Sequence, residues 1–395
     1  MSTQRPVAAI SQGWVSAGGT GAPNYDEFAT DSEITTIVRD NPRSALAVEM
    51  PHRAPEAVRD GLDFAASLEA AAQRLAAQKA DGTYERVEDF VAPYRITDGD
   101  EVSYGVFAAV ATDQISTRAD EPGLVVRNED VFPAKVVERT QLTRRLGTLL
   151  SPVLLIQTAQ GDQLKGALIE AMQSDPVVSD VDAAGRRHEI WVTGDERLLA
   201  FAGAGELVVA DGNHRSLSAQ QAGLERFLAV ITTPDSVRIA PYDRLIREWD
   251  TDLPSVLERL ADNGVGVRES ASGPVVPPAG VAILYAAGKT YELTLPASGG
   301  GVADRLDHAV IERVFFGQVL GMSADDKRIS YVGGDYGPSW LAAEVDTGSG
   351  VAAVLVSPVS VDDFVSVNLA REKMPRKSTW FVPKARAGLV LADVR

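Results

Sequence analysis

"ELVVADGNHRSLSAQQAG", residues 206–223, joins an apolar run, a glycine turn and a stretch of helical character. Leu207-Val208-Val209-Ala210 reads as a buried strand that delivers Asp211 at its carboxyl end. Gly212 permits a tight turn and leaves room beside the backbone, and the residues after it read as a helix over 214–222 that stops at Gly223. A helix starting at such a turn aims its N–H groups and positive dipole end back at the corner, which suits an anion. His214 and Arg215 add donors, and a guanidinium can grip phosphate through two parallel bonds. Asp211 so close to a phosphate needs a metal or a donor beside it. The plainer reading is turn chemistry, with Asp211 capping the helix and His214 and Arg215 solvated. Spacing alone leaves both open.

Outward from this corner, strands alternate with helices. Strands are expected at 102–112, 151–158, 188–195, 206–212 and 226–233, with helices at 161–175 and, after Pro133, within 130–147. That alternation predicts a mixed or parallel sheet in the middle third. Upstream, 56–80 has apolar residues at helical spacing and reads as one amphipathic helix ending near Asp81-Gly82. Downstream, 281–295 reads as a hairpin turning at Ala287-Gly288. Residues 304–321 read as a helix stopped by Gly321, 350–358 as a strand, and 360–372 as a further helix. The acidic stretch after residue 112, with its Pro-Gly, marks a plausible boundary.

The chain has 395 residues, more than one compact core usually holds. A formal charge of -17 argues against a nucleic-acid partner, because a phosphate backbone would be repelled over most of the surface. One basic pocket for a small anion remains compatible with it. There is no cysteine, which removes disulfides, thiolate nucleophiles and Cys-ligated zinc and fits a reducing cytoplasm. His52, His188, His214 and His308 are scattered without a zinc spacing. Magnesium held by a carboxylate and substrate phosphates stays open. No signal pattern and no apolar run of bilayer length is present, so a cytoplasmic location without membrane association is expected.

Other local patterns carry less. Gly288-Lys289-Thr290 has the tail of a P-loop, but Ile283 stands where the first glycine belongs and the stretch lies in the expected hairpin. Residues 18–23, GGTGAP, have no following helix and form no dinucleotide fingerprint. The last basic stretch, "MPRKSTWFVPKARAGLVL", runs against the acidity of the rest.

Several segments together resemble the domain-of-unknown-function 1015 family. Its strand followed by Ala-Asp-Gly-His-His-Arg is matched by Ala210-Asp211-Gly212-Asn213-His214-Arg215. Its His-Glu followed by a helix ending in Asp-Arg is matched by Asn128-Glu129 and Glu138-Arg139. Its C-terminal signature is matched by Met374 to Lys384, with Lys377-Ser378-Thr379 at the centre and Gly388-Leu389 beyond, and Asn41-Pro42-Arg43-Ser44 also fits. The resemblance implies an α/β (α+β) chain: a ParB/sulfiredoxin-like core with a mixed sheet at 116–245, extended by α/β segments at 1–115 and 246–395.

Relatives with such a core include free-serine kinases, so the resemblance implies phosphate transfer from ATP or ADP to a free amino-acid hydroxyl, most simply that of L-serine, giving O-phosphoserine. Carried over, Glu129 becomes the base. Asp211, Gly212, Asn213, His214 and Arg215 become phosphate contacts, with Asp211 also a magnesium ligand. Lys377, Ser378 and Lys384 would approach the phosphates from the basic tail, or else pair with acidic surface. Arg139 and Arg244 are read chiefly as structural ion-pair partners, with ligand contact as the lesser alternative. Two leading histidines of the family pattern are asparagine here, Asn128 and Asn213, which removes any proton transfer at those positions. The alternative is a nucleotide-binding or nucleotide-hydrolysing regulatory module with no amino-acid acceptor.

Overall fold

The computed structural model describes residues 5–25, 27–28, 30–116, 123–127, 131 and 133–394. Within them the chain divides into two compact units, one running to Val237 and resuming at Pro383, the other spanning Arg238–Val382. The strand Glu101–Ala111 pairs with Arg226–Thr232, 115 to 127 positions further on in register, so residues on both sides of position 115 share one sheet.

The first unit is built on β1 (Ala92–Asp98), β2 (Glu101–Ala111), β3 (Val153–Gln157), β4 (Leu207–Asp211) and β5 (Arg226–Thr232). Their order in the sheet is β1, β2, β5, β3, β4, with short strands continuing at either edge. β5 runs parallel to β3 and antiparallel to β2, and β3 is antiparallel to β4, so the sheet is mixed as expected. Alternate residues of these strands, among them Val106, Leu155, Val209 and Ile231, pack with Leu164, Leu168 and Leu198 from the helices Gly161–Ala171 and Glu196–Ala202. The intervening Phe107, Leu154, Val208 and Val230 are buried too, which explains why the strands read as continuous apolar runs.

A second sheet of this unit places Val390–Asp393 between Ile10–Ser16 and Thr148–Leu149, with Tyr84–Phe90 outermost beside Ile10–Ser16. The helix expected over 56–80 is two helices, Pro55–Arg59 and Phe64–Ala80. Gly61 takes a left-handed conformation between them, and the Asp63 side chain caps the second by accepting from the Ala66 N–H at 2.8 Å. Two further helices matter below: α1 (Pro133–Leu146) and α2 (Asn213–Gln221).

The second unit holds a six-stranded antiparallel sheet. It includes β6 (Tyr242–Ile246), β7 (Val281–Ala286), β8 (Lys289–Thr294), β9 (Ile329–Gly333) and β10 (Ala352–Val356), with Gly266–Ser270 at the edge beside β8. β7 and β8 are the expected hairpin, turning through Ala287 and Gly288, both at positive φ. The Gly288-Lys289-Thr290 stretch is therefore turn and strand. Helix Leu253–Asp262 and the helical run Asp307–Leu320 cover one face, and Pro338–Asp346 packs on the other. The run winds as a wider i→i+5 coil over Ile311–Leu320 and ends at left-handed Gly321. No helix among the described residues is long and apolar enough to cross a membrane.

Candidate functional site

β4 carries its buried apolar residues to Asp211, and a register shift against β3 between Val209 and Asp211 turns the chain out of the sheet. Gly212 follows at φ 98°, ψ 29°, a left-handed conformation, and α2 begins at Asn213. The left-handed conformation favours glycine, and a Cβ at Gly212 would lie 3.1 Å from Arg215 Nε and 3.2 Å from the Val153 Cα, so its neighbours would have to give by a few tenths of an ångström. Glycine itself occupies the cap position, and the Asp211 carboxylate is directed elsewhere.

That carboxylate pairs with Arg215 one helical turn on, Nη2 to Oδ2 3.0 Å. Arg215 is 8% exposed and also donates to Asn24 Oδ1 at 2.9 Å and to the Pro152 carbonyl. The guanidinium expected to reach a phosphate is thus engaged within the protein. Its charge offsets that of Asp211 and it binds the loop around Asn24 to the corner.

Asn24 and Glu27 are site residues that sequence reasoning missed. Asn24 is buried, and its amide donates to Glu27 Oε1 at 2.8 Å and more weakly to Asp211 Oδ2 at 3.4 Å. Its backbone N–H donates to the same Glu27 oxygen at 2.6 Å. Two carboxylates and one guanidinium therefore meet around a single amide. Asn24 Nδ2 also approaches the Ala385 carbonyl at 3.4 Å, which brings the backbone following Lys384 to this corner.

Behind Arg215 a cavity of about 40 Å³ is lined by Glu49, Arg139, Ser151 and Ser218 among others, water-sized space rather than room for a nucleotide. There Arg139 is buried against Glu49, Nη1 to Oε2 2.9 Å, with Tyr25 and Phe64 rings on its faces. Arg244 of the second unit pairs with Glu312 at 3.1 Å. Both arginines are the ion-pair partners expected. A larger cavity of the first unit, about 410 Å³, is bordered by Ile10, Ser11, Leu224, Glu225 and Arg226, and none of the predicted site residues lines it.

Asp211 to Arg215 and Lys384 fall in the first unit, and Lys377 and Ser378 in the second. Glu129 and Asn128 lie outside the described residues. For magnesium the donor set fits poorly. Asp211 Oδ2 already accepts from Arg215 and Asn24, and among the described residues no three His, Asp or Glu side chains gather into a metal-binding group.

The sequence profile of DUF1015, described as a protein of unknown function, matches residues 6–319. The chain belongs to the DUF1015 family. The match ends before the basic C-terminal stretch, so the Met374–Lys384 signature lies beyond it. No curated protein matches this DUF1015 chain. Among solved structures it is similar to a free serine kinase in complex with AMP, at 16% identity and TM-score 0.38 over 72% of this chain and 88% of that one. It is also similar to a conserved hypothetical protein from Pyrococcus furiosus, at 16% identity and TM-score 0.35 over 72% and 92%. A C-terminally truncated SbnI from Staphylococcus aureus matches at 12% identity and TM-score 0.38 over 71% and 84%.

Proposed function

We propose that this chain binds the phosphates of ATP or ADP at the Asp211–Arg215 corner and transfers one to a free amino-acid hydroxyl, L-serine in the simplest case. The observation that carries the reading is the left-handed Gly212 at the start of α2, with the Asp211 charge already matched by Arg215. In a chain of net charge -17 an anion needs a local positive field. The amino end of α2 supplies that field, His214 adds a donor, and the Asp211–Arg215 pairing keeps the nearest carboxylate from opposing it.

Glu129, one residue beyond Asn128 in the motif, is assigned the proton of the acceptor hydroxyl, and Lys384 is assigned to the nucleotide from the basic tail. Phosphoryl transfer asks the protein chiefly to position and neutralise, so an anion corner and one base suffice in principle. No step is assigned to a protein-held magnesium ion. The test is incubation with L-serine and ATP or ADP, followed by phosphorus NMR. Formation of O-phosphoserine supports the reading. Nucleotide binding by calorimetry without phosphoserine identifies the regulatory module instead, a result to which Asn213 in place of histidine would contribute. Absence of nucleotide binding refutes both.

A further inference from the structure

The cavity of about 410 Å³ in the first unit is walled by strands of both its sheets, and its volume lies in the range of small-molecule sites. Most of the wall is apolar: Ile10, Ala109, Leu149, Leu224, Leu228 and Ala392. One cationic side chain joins them, that of Arg226 at the start of β5. Register fixes the side on which it stands. Arg226 lies opposite Ala111 of β2 and Leu228 opposite Ala109, so Arg226, Leu228 and Ala109 share one face of the sheet. Phe227, between Arg226 and Leu228, turns to the core on the other face.

Arg226 is held loosely by the protein itself. Its guanidinium donates only to backbone carbonyls, those of Arg5 at 3.2 Å, Ala109 at 3.4 Å and Pro6 at 3.5 Å, the last two longer than an ordinary N–H···O bond. Among the described residues no carboxylate pairs with it, in a chain whose acidic residues outnumber the basic ones 55 to 38. Nη1 serves Pro6 and Ala109 and Nη2 serves Arg5, which leaves the Nε–H and one Nη2–H uncommitted, the pair that grips a carboxylate side-on. The acid on the cavity wall, Asp393, is already matched. Its oxygens accept from Lys79 at 2.7 Å, Thr148 at 2.7 Å and Trp14 at 2.8 Å. Glu225 is exposed to water, which screens its charge.

We propose that this cavity binds a small carboxylate with an apolar body, its carboxylate paired with Arg226 and its body packed among Ile10, Leu149, Leu224 and Leu228. One guanidinium balances one negative charge. A phosphate dianion would keep a second charge unmatched beside Asp393 and Glu225, so a monoanion is the better fit. The remaining wall offers hydrocarbon, and each methylene it takes from water adds to affinity. The inference does not rest on the corner reading, since none of Asp211 to Arg215 lines this cavity.

The test uses the full chain, octanoate as the probe and 1-octanol as its uncharged counterpart, read by calorimetry and by the nitrogen-15 amide signals of Leu224 to Leu228. The proposal expects saturable octanoate binding that moves these amides, with octanol bound about tenfold more weakly despite its equal hydrocarbon. Arg226→Gln should lower octanoate affinity about tenfold and leave octanol affinity unchanged. Arg226→Lys, which keeps the charge and loses the planar fork, should fall between. Comparing the two probes on the wild-type chain needs no variant to fold. Octanol bound as tightly as octanoate, or octanoate affinity undiminished in Arg226→Gln, overturns the role of Arg226. Octanoate that fails to bind, or binds with those amides unmoved, overturns the site. The corner is read by other signals, those of the Gly212–His214 amides, so failure at one site is not failure at the other.

Discussion

Replacing Arg215 with glutamine separates a guanidinium that holds the corner together from one kept to grip phosphate. Arg215 makes a charge-assisted bond to Asp211 at 3.0 Å, a bond to Asn24 Oδ1 at 2.9 Å and another to the Pro152 carbonyl. Its side chain is 8% exposed and that of Asp211 18%. Removing one partner of a buried pair costs about 3–5 kcal/mol, because the remaining charge stays desolvated. The partial exposure of Asp211 and the amide that glutamine can still offer place this case at the lower end, about 3 kcal/mol. Native-state hydrogen exchange of the β4 amides reads that loss within the first unit. In a double-mutant cycle with Asp211→Asn, the double variant should lose less than the sum of the singles, with a coupling of about 1–3 kcal/mol. A loss below about 0.5 kcal/mol together with collapsed nucleotide affinity would refute the reasoning and return Arg215 to the phosphate.

Gly212→Ala should cost the first unit about 2 kcal/mol, from the left-handed backbone and the 3.2 Å approach of the new Cβ to Val153 Cα, and should abolish nucleotide binding by calorimetry. Glu129→Gln should slow O-phosphoserine formation by roughly 10²–10⁴-fold, while nucleotide affinity measured by calorimetry stays near wild type. In the second unit, burial outweighs the Val356 N–H bond and the nearby Arg244 and raises the Asp243 carboxyl to about 7. Between about pH 4 and pH 7 the folded state thus keeps a proton that the unfolded chain has lost, so stability from this group falls as pH rises and the penalty is complete above the folded pKa. Asp243→Asn keeps the acceptor for Val356 N–H. It should equal wild type near pH 4 and exceed it by about 2–4 kcal/mol near pH 8 in urea titrations.

The corner was legible because its determinants are local. Four apolar residues end at Asp211, a glycine supplies the one conformation that permits the turn, and Gly223 lies just past the helix end, all within eighteen positions. The β7–β8 hairpin was legible for the same reason. The helix over 56–80 was overextended because apolar spacing continues through Asp60-Gly61, and only the Asp63 cap and the left-handed glycine reveal the break. Strands such as Tyr84–Phe90 and β1 were not anticipated, since charged residues and Pro93 interrupt their alternation. Asn24 and Glu27 could not be found from the motif. Asn24 meets Arg215 from 191 positions away, and nothing in the loop around it carries a local signal. The charge balance of the corner was likewise set by packing: a buried guanidinium beside a carboxylate pairs with it before it can serve a ligand.

The most direct measurement is a nitrogen-15 amide titration of the full chain with ADP, following Gly212, Asn213 and His214. If the amino end of α2 receives the phosphates, these three signals move together, saturate with the calorimetric affinity, and remain still in Gly212→Ala. ADP that binds by calorimetry while leaving them in place would show that the nucleotide sits elsewhere and that the glycine corner serves only to turn the chain.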